Sequence, residues 1–254
     1  MSQRAVYAST ALAGSNKAGV LKPDADGYYT LVLGALDVYN SAGAFYPYES
    51  AKEVFKASSS LMRRIANGAC RAEYGHPKML PGMSQRDFLS RIMSIYEENV
   101  CAHIKEVVVD FNSLKDENGK PVIAVIGKVK PMGPRGADLE ASLKNPHENV
   151  CFSVRSLTDD VYVGGVLRKH IRAIITWDYV NEPGIKVANK YASPALENFD
   201  EVSFTVAHLG SVRDFQKSTG VSLESGNTIS AEEVINDFGW NAVKTSPVPP
   251  SMKW

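Results

Sequence analysis

The 254-residue sequence predicts an α+β protein that is rich in strands. Two observations predict this class. Runs of β-branched and aromatic residues, bounded by Gly, Pro and Asn, occur about seven times along the chain. Between them, a few segments carry apolar residues at helical spacing. Because strands and helices do not alternate regularly, a doubly wound parallel sheet is disfavoured.

The first half of the chain is predicted to mix strands with helices. Residues 1–30 contain several glycines and are expected to be irregular. Ser50 and Glu53 match a capping box, which predicts one helix over 50–66. The other elements predicted here are strands at 28–38, 69–74 and 100–111 and a helix at 84–95.

The second half is predicted to be mostly strands. A turn at 116–119 joins the strand at 100–111 to a returning strand at 121–129. The remaining elements predicted are strands at 150–157, 161–167, 168–180 and 199–209 and helices at 137–144 and 231–238. From about residue 218 the composition shifts to Ser, Thr, Gly, Asn and acidic residues. That change predicts a polar tail.

Composition excludes several classes of protein. The 28 Lys and Arg residues balance 28 Asp and Glu residues, so no excess of positive charge is present to hold a nucleic acid, and none is expected as a partner. A hydrophobic fraction of 44% is too high for a mostly disordered chain. The sequence has no apolar run long enough to span a bilayer and no signal-peptide pattern at its start, which predicts a cytoplasmic protein with no membrane partner.

The three cysteines, Cys70, Cys101 and Cys151, are far apart in the sequence. An odd number without CxxC spacing argues against a disulfide framework and against a zinc site, so reduced thiols are expected. HExxH, GxSxG, GxxxxGK[ST] and GxGxxG are all missing from the sequence. No metal and no cofactor is therefore predicted.

Two histidines are candidates for acid–base chemistry. His76 lies between Gly75 and Pro77 at the end of a predicted strand. A histidine side chain is suited to proton transfer near neutral pH, and the ring of His76 would be held in an accessible place by its two neighbours. The alternative is a histidine in a surface turn. His103, at the start of another strand, is the competing candidate.

Three further candidates lie on two predicted strands. Ser153 is a possible nucleophile if a base lies within reach, and Arg155 follows it on the same face of the strand, where a cation could support an oxyanion. Asp178 lies in an apolar strand and needs a partner if it is buried, for which an imidazolium is suitable. The alternatives are a hydrogen-bonded filler serine, an edge-strand ion pair, and an aspartate bonded to backbone or a hydroxyl.

Five short segments carry motifs whose order and spacing belong together: 72–77, 102–107, 127–136, 151–157 and 175–188. The first reads Ala-Glu-Tyr-Gly-His-Pro, and the fourth reads Cys-Phe-Ser-Val-Arg-Ser-Leu. Together the five segments resemble the T4-like prohead core protease family of tailed phages, in a match that covers residues 28–190, about two thirds of the chain. The first resembles the family's catalytic-histidine segment, and the fourth resembles its nucleophile strand.

The nucleophile strand departs from the family at two positions. The family commonly has a second serine and a glycine where this chain has Val154 and Ser156. Only Ser153 therefore precedes the arginine here. The loss of the glycine changes a position at which the backbone could approach the substrate.

The resemblance implies a fold and a triad. The fold is that of herpesvirus assemblin, a β-barrel surrounded by helices. Ser153 is implied as nucleophile, His76 as general base and Asp178 as the residue that orients the histidine, with His103 in reserve for the third place. Arg155 is implied to support the oxyanion, directly or by fixing a backbone donor.

The resemblance also implies substrates and a location. Such proteases cleave the major capsid protein and internal scaffold or core proteins inside the assembling prohead in the host cytoplasm, typically after Glu. Ser222-Leu223-Glu224 matches that preference, which predicts self-processing after Glu224. A protease domain at 1–215, a removable tail at 216–254 and a homo-oligomer, a dimer or larger, are expected.

Two other functions stay open at this stage. The chain could be an inactive structural component of the head or scaffold with the same fold, or a barrel that binds a small molecule. A serine-reactive probe that labels Ser153 would separate a protease from both.

Overall fold

The computed structural model describes residues 4–14, 21–40, 42–115, 119–180, 202–221 and 227–240. Strands in these ranges are β1 (Arg4–Gly14), β2 (Tyr29–Leu36), β3 (Val38–Tyr39), β4 (Phe45–Tyr46), β5 (Arg71–Glu73), β6 (Val100–Lys115), β7 (Pro121–Pro131), β8 (Val150–Val163), β9 (Val166–Val180) and β10 (Val202–Thr205). Helices are α1 (Tyr48–Ala51), α2 (Ser60–Ala66), α3 (Gln85–Ile92), α4 (Gly136–Lys144), α5 (Val206–Thr219) and α6 (Ala231–Asp237), with 3₁₀ turns at Lys52–Phe55 and Glu97–Asn99.

The strands form two sheets. One has the order β10-β1-β8-β9-β4-β3, and the other has the order β2-β7-β6-β5. The strands include a sheet that curls into the form of a half-barrel. Helices pack against the strands. The strand-rich α+β class predicted from the sequence is confirmed.

Two large apolar cores hold the described residues together. The first joins the two sheets, with Leu33 and Val125 from one and Phe152 and Trp177 from the other. The second lies where α3, α5 and α6 pack against β8 and β9. Among its fully buried members are Phe88, Ile92, Ile175, Phe204, Leu209 and Val212. Strands β8 and β9 contribute to both cores, so both of their faces are covered.

Most predicted elements are confirmed, with small shifts of their ends. The irregular structure predicted at the start of the chain is wrong. Residues 1–30 were expected to be irregular, and β1 covers Arg4–Gly14. Its small residues give a weak strand signal. The strand forms because β8 pairs with it on one side and β10 on the other.

The single helix predicted over 50–66 is also wrong. The chain forms α1, a 3₁₀ turn and then α2, and the cap is Ser59 instead of Ser50. The Ser59 hydroxyl accepts from the Met62 amide at 3.1 Å and donates to the Val54 carbonyl at 2.6 Å. A serine-rich run favours such local bonds over a continuous helix.

Two predicted strands in the second half need correction. The strand predicted at 161–167 crosses a turn at Gly164 and Gly165, both with positive φ, which joins β8 to β9 as a hairpin. In the strand predicted at 199–209, residues 199–201 lie outside the described residues. Within the rest, β10 ends at Thr205 and α5 begins at Val206.

The predicted domain boundary at residue 215 falls within α5. Helix α6, from the predicted tail 216–254, contributes Val234 and Ile235 to the second core. In the described residues, the parts on either side of residue 215 pack together.

No described helix is long and apolar enough to cross a membrane.

Candidate active site

The centre of the candidate site is the antiparallel pair of strands β8 and β9. Ser153 lies directly opposite Asp178 in this pair, and Arg155 lies opposite Thr176. Because side chains alternate along a strand, Ser153, Arg155 and Asp178 share one face. Phe152 and Trp177 lie on the other face, in the core between the sheets.

His76 reaches this face because the chain after β5 is tied to β9. Tyr74 forms a parallel bridge with Tyr179, and the Gly75 amide donates to the Tyr179 carbonyl at 2.7 Å. Gly75 has φ of +79°, a conformation that favours glycine, and its turn directs the next residue towards Asp178. The His76 Nδ1 lies 2.9 Å from Asp178 Oδ2. The fold therefore brings a histidine and an aspartate from distant segments of the sequence into direct contact.

Asp178 is ionised in this setting. It is fully buried, which by itself raises the pKa of the carboxyl, but the Arg155 guanidinium and the His76 ring outweigh burial and hold the pKa below its ordinary value. A carboxylate only accepts hydrogen bonds, so His76 Nδ1 carries the proton in this bond. The Nε2 of His76 is then free to accept a proton from another group.

Ser153 differs from an ordinary strand serine. Its side chain is buried, and its Oγ has no hydrogen-bond partner in the described residues. A serine that only fills space in a core is normally hydrogen-bonded, and an orphaned hydroxyl is costly. The same fact means that Ser153 and His76 are not hydrogen-bonded here. Bonds between a nucleophile and its base are often long without substrate and tighten in the complex.

Arg155 is fully buried and its donors are directed at Asp178 and its surroundings. Nε and Nη2 donate to the two oxygens of Asp178 at 2.8 and 2.7 Å. Nη1 donates to the carbonyls of Ser94 and Ile92 at 3.0 and 3.3 Å, and Nη2 also lies 3.1 Å from Glu73. These bonds favour a role in which Arg155 holds Asp178 in place over one in which Arg155 contacts an oxyanion directly.

Sequence reasoning missed Glu73 and Arg91, which extend this charged network. Glu73 is fully buried and its carboxylate forms a two-bond pair with Arg91, at 2.5 and 3.0 Å. It also accepts from the Tyr96 amide at 2.6 Å. The available signal was an acidic residue in a strand with buried neighbours, three positions before a candidate histidine.

His103 lies elsewhere. Its Nδ1 is 2.9 Å from the Tyr28 hydroxyl and its Nε2 is 3.1 Å from the Gly68 carbonyl. The structure therefore brings His76, and not His103, to Asp178. Glu224 lies outside the described residues.

The three cysteines are buried, and none forms a disulfide in the described residues. Burial raises the pKa of Cys70 and of Cys101, which makes both poor nucleophiles at neutral pH. The described residues contain no group of three or more His, Cys, Asp or Glu side chains that could hold a metal ion.

Comparison with known proteins identifies the family. The model of the peptidase S80 family matches residues 7–234. The chain belongs to the peptidase S80 family. This S80 chain is 42% identical over 243 residues to a protein named capsid maturation protease from Pseudomonas phage phiKZ, which covers 93% of the chain and 88% of the relative.

A solved structure also resembles this S80 peptidase. It is the bacteriophage T4 capsid assembly protease, with 12% sequence identity and a TM-score of 0.47, covering 70% of this chain and 98% of that one.

Proposed function

We propose that this S80 peptidase is a serine endopeptidase that matures the prohead of a tailed phage. The observation that carries the proposal is the 2.9 Å bond between His76 and Asp178, next to a serine whose hydroxyl has no partner in the described residues. Ser153, His76 and Asp178 are the three groups that a serine protease needs. Their order along the chain is His, Ser, Asp.

In the proposed mechanism, Ser153 Oγ attacks the carbonyl carbon of the scissile peptide while His76 Nε2 takes its proton. The tetrahedral intermediate then collapses, the C–N bond breaks, and His76 gives the proton to the leaving amine. Water then attacks the acyl carbon while His76 takes its proton. The C–O bond to Ser153 breaks, His76 returns the proton to Ser153 Oγ, and the new carboxylic acid leaves. Throughout, the negative charge of Asp178 stabilises the imidazolium and keeps its Nδ1 protonated.

Arg155 is proposed to act through Asp178. Its two parallel bonds to the carboxylate fix both oxygens, as arginine does at planar acceptors. Its bonds to the carbonyls of Ile92 and Ser94 tie that pair to the segment after α3. Arg155 supports the oxyanion, in this proposal, by fixing strand β8 and its backbone donors.

The proposed substrates are the major capsid protein and the internal scaffold or core proteins, cleaved after Glu. Support comes from the phiKZ relative, which is named a capsid maturation protease, and from the motifs at 72–77 and 151–157. The chain is further proposed to act as a dimer or larger homo-oligomer inside the prohead. Self-processing after Glu224 belongs to the same proposal.

The test is incubation of the chain with the major capsid protein of its own phage. Wild-type protein should cleave this substrate, and Ser153→Ala should lose activity by about 10³–10⁶-fold while its thermal unfolding stays similar. His76→Ala should lose activity on the same scale. Ser156→Ala is the matched control, since it removes a buried hydroxyl from the same strand.

Mass spectrometry and a fluorophosphonate probe decide the remaining points. The probe should label wild-type protein on Ser153 and leave Ser153→Ala unlabelled. Full activity of either Ser153→Ala or His76→Ala contradicts the triad. Absence of both labelling and cleavage in assembled proheads favours an inactive head component, and an intact tail in active protein contradicts processing after Glu224.

A further inference from the structure

Glu73 is a buried charge that the proposed chemistry does not use. It lies on β5 between two arginines, Arg91 from α3 and Arg155 from β8. The Glu73 backbone amide also donates to Asp178 at 3.3 Å. Glu73 and Arg155 are both fully buried, and Arg91 nearly so.

These contacts form a line of alternating charges that ends at the candidate base. The order is Arg91, Glu73, Arg155, Asp178 and then His76. The four groups before the histidine carry two positive and two negative charges, so their sum is zero. Burial of so many ions is costly, and well-packed apolar residues would hold the same strands at lower cost.

We propose that Glu73 is a positioning residue whose charge offsets that of Arg155, so that the charge of Asp178 acts on His76. This inference rests on the proposed function. Without Glu73, the cluster beside His76 would carry one extra positive charge. That charge would weaken the hold of Asp178 on the imidazolium that forms during catalysis.

The other groups that face the cluster leave this balance unchanged. Cys101, on β6, faces Asp178 and Glu73. Burial is the main reason that the pKa of the Cys101 thiol is raised, and these two negative charges add to the effect, so the thiol stays neutral. The Tyr96 ring lies over the Arg91 guanidinium at 3.9 Å, and its amide donates to Glu73. Arg91 is therefore the cation that compensates Glu73 from the α3 side.

The experiment uses three variants of the full chain: Glu73→Gln, Arg91→Gln, and the two combined. The readout is the rate of fluorophosphonate labelling of Ser153 between about pH 4.5 and 8.5, whose acid limb reports loss of the base. Glu73→Gln should move the midpoint of that limb about one pH unit lower, because an added positive charge opposes protonation of His76. Arg91→Gln should move it higher.

The double variant separates charge balance from a structural role. It restores a net charge of zero, so its midpoint should return close to that of the wild type. Glu97→Gln removes an exposed carboxylate from the same region and should leave the midpoint in place, because an exposed charge is screened. A midpoint unmoved in Glu73→Gln, or moved further in the double variant, overturns the proposal.

A second measurement keeps this inference separate from the proposed function. The imidazole of His76 is titrated by NMR in the Ser153→Ala background, where no turnover is needed, with and without Glu73→Gln. If Glu73→Gln shifts the NMR titration of His76 but the probe does not label wild-type protein, the protease proposal alone is refuted. Labelling without any such shift refutes the role of Glu73 alone.

Discussion

At the scale of single residues, Asp178 connects the stability of the protein to its proposed chemistry. Its carboxylate is bonded to Arg155, to His76 and to the Glu73 amide, and each partner favours the ionised form. Its pKa is therefore lowered in the folded protein although burial opposes that change. A carboxyl of this kind stabilises the fold at any pH above its unfolded value, about 3.9.

Asp178→Asn should lower the free energy of unfolding by about 3 kcal/mol at pH 7, because it leaves one excess positive charge in the buried cluster of Arg91, Glu73 and Arg155. The difference from the wild type should shrink as the pH falls below about 4 and through the lowered pKa, since Asp178 is then protonated in both states. Urea unfolding at several pH values measures it.

Asp159→Asn is the matched control for this change. Asp159 lies on the same strand as Arg155 but pairs with Arg172 at 3.3 Å on the surface, where both side chains are over a third exposed. Such pairs contribute less than about 1 kcal/mol. Equal losses for both variants, or a difference that grows towards low pH, would contradict the assignment to Asp178.

At the scale of elements, the sequence predicted those whose patterns are local. Helix α3 carries Phe88, Leu89 and Ile92 at helical spacing, and all three are buried. Strand β1 was missed because its stability comes from distant partners on β8 and β10. The break between α1 and α2 was missed because the capping pattern at Ser50 is local, whereas Ser50 lies inside α1 and Ser59 caps α2.

The same difference between local patterns and contacts with distant partners applies to the candidate site. His76, Ser153 and Asp178 could be named because their segments resemble a family. Glu73 and Arg91 could not, since their roles depend on a contact between β5, α3 and β8 that has no local pattern. Arg155 was named as support for the oxyanion, directly or by fixing a backbone donor, and its bonds are to Asp178, Glu73 and two carbonyls.

The turn between β7 and α4 gives a prediction at this scale. Gly133 has φ of +80°, and a Cβ added there would lie 2.7 Å from the backbone oxygen of Val100. Gly133→Ala should therefore lower the free energy of unfolding by about 3 kcal/mol, from the positive φ and the clash together.

Gly164→Ala is its matched control. Gly164 also has positive φ, +59°, but an added Cβ would meet nothing within 4 Å. It should cost only about 1–2 kcal/mol, the cost of the backbone conformation. Urea unfolding of both variants compares them directly. A cost for Gly133→Ala no greater than that for Gly164→Ala would contradict the close approach to Val100.

At the scale of the whole molecule, the last described segment is tied to the same region as the site. The Ile229 amide donates to the Met93 carbonyl at 2.9 Å, and the Ile95 amide donates to the Asn227 carbonyl at 2.5 Å. The Asn227 side chain also accepts from Arg71, two residues before Glu73, at 2.9 Å. Residues 227–240 thus brace the segment whose Tyr96 amide and Ser94 carbonyl hold Glu73 and Arg155.

This arrangement predicts that a cut after Glu224 leaves a nicked protein that stays folded. Ile229, Val234 and Ile235 are buried in the second core, and each contributes about 1.5–3 kcal/mol, enough to keep the fragment bound.

To separate this from self-processing, a site for an unrelated protease is inserted between residues 224 and 225 of Ser153→Ala. After cleavage, the two pieces should separate on a denaturing gel and elute together in native size-exclusion chromatography. Val234→Asp should release the smaller piece, because a charge in that core is unpaired. Release of the fragment without that substitution would instead mean that residues after 224 form the removable tail that the family resemblance implies.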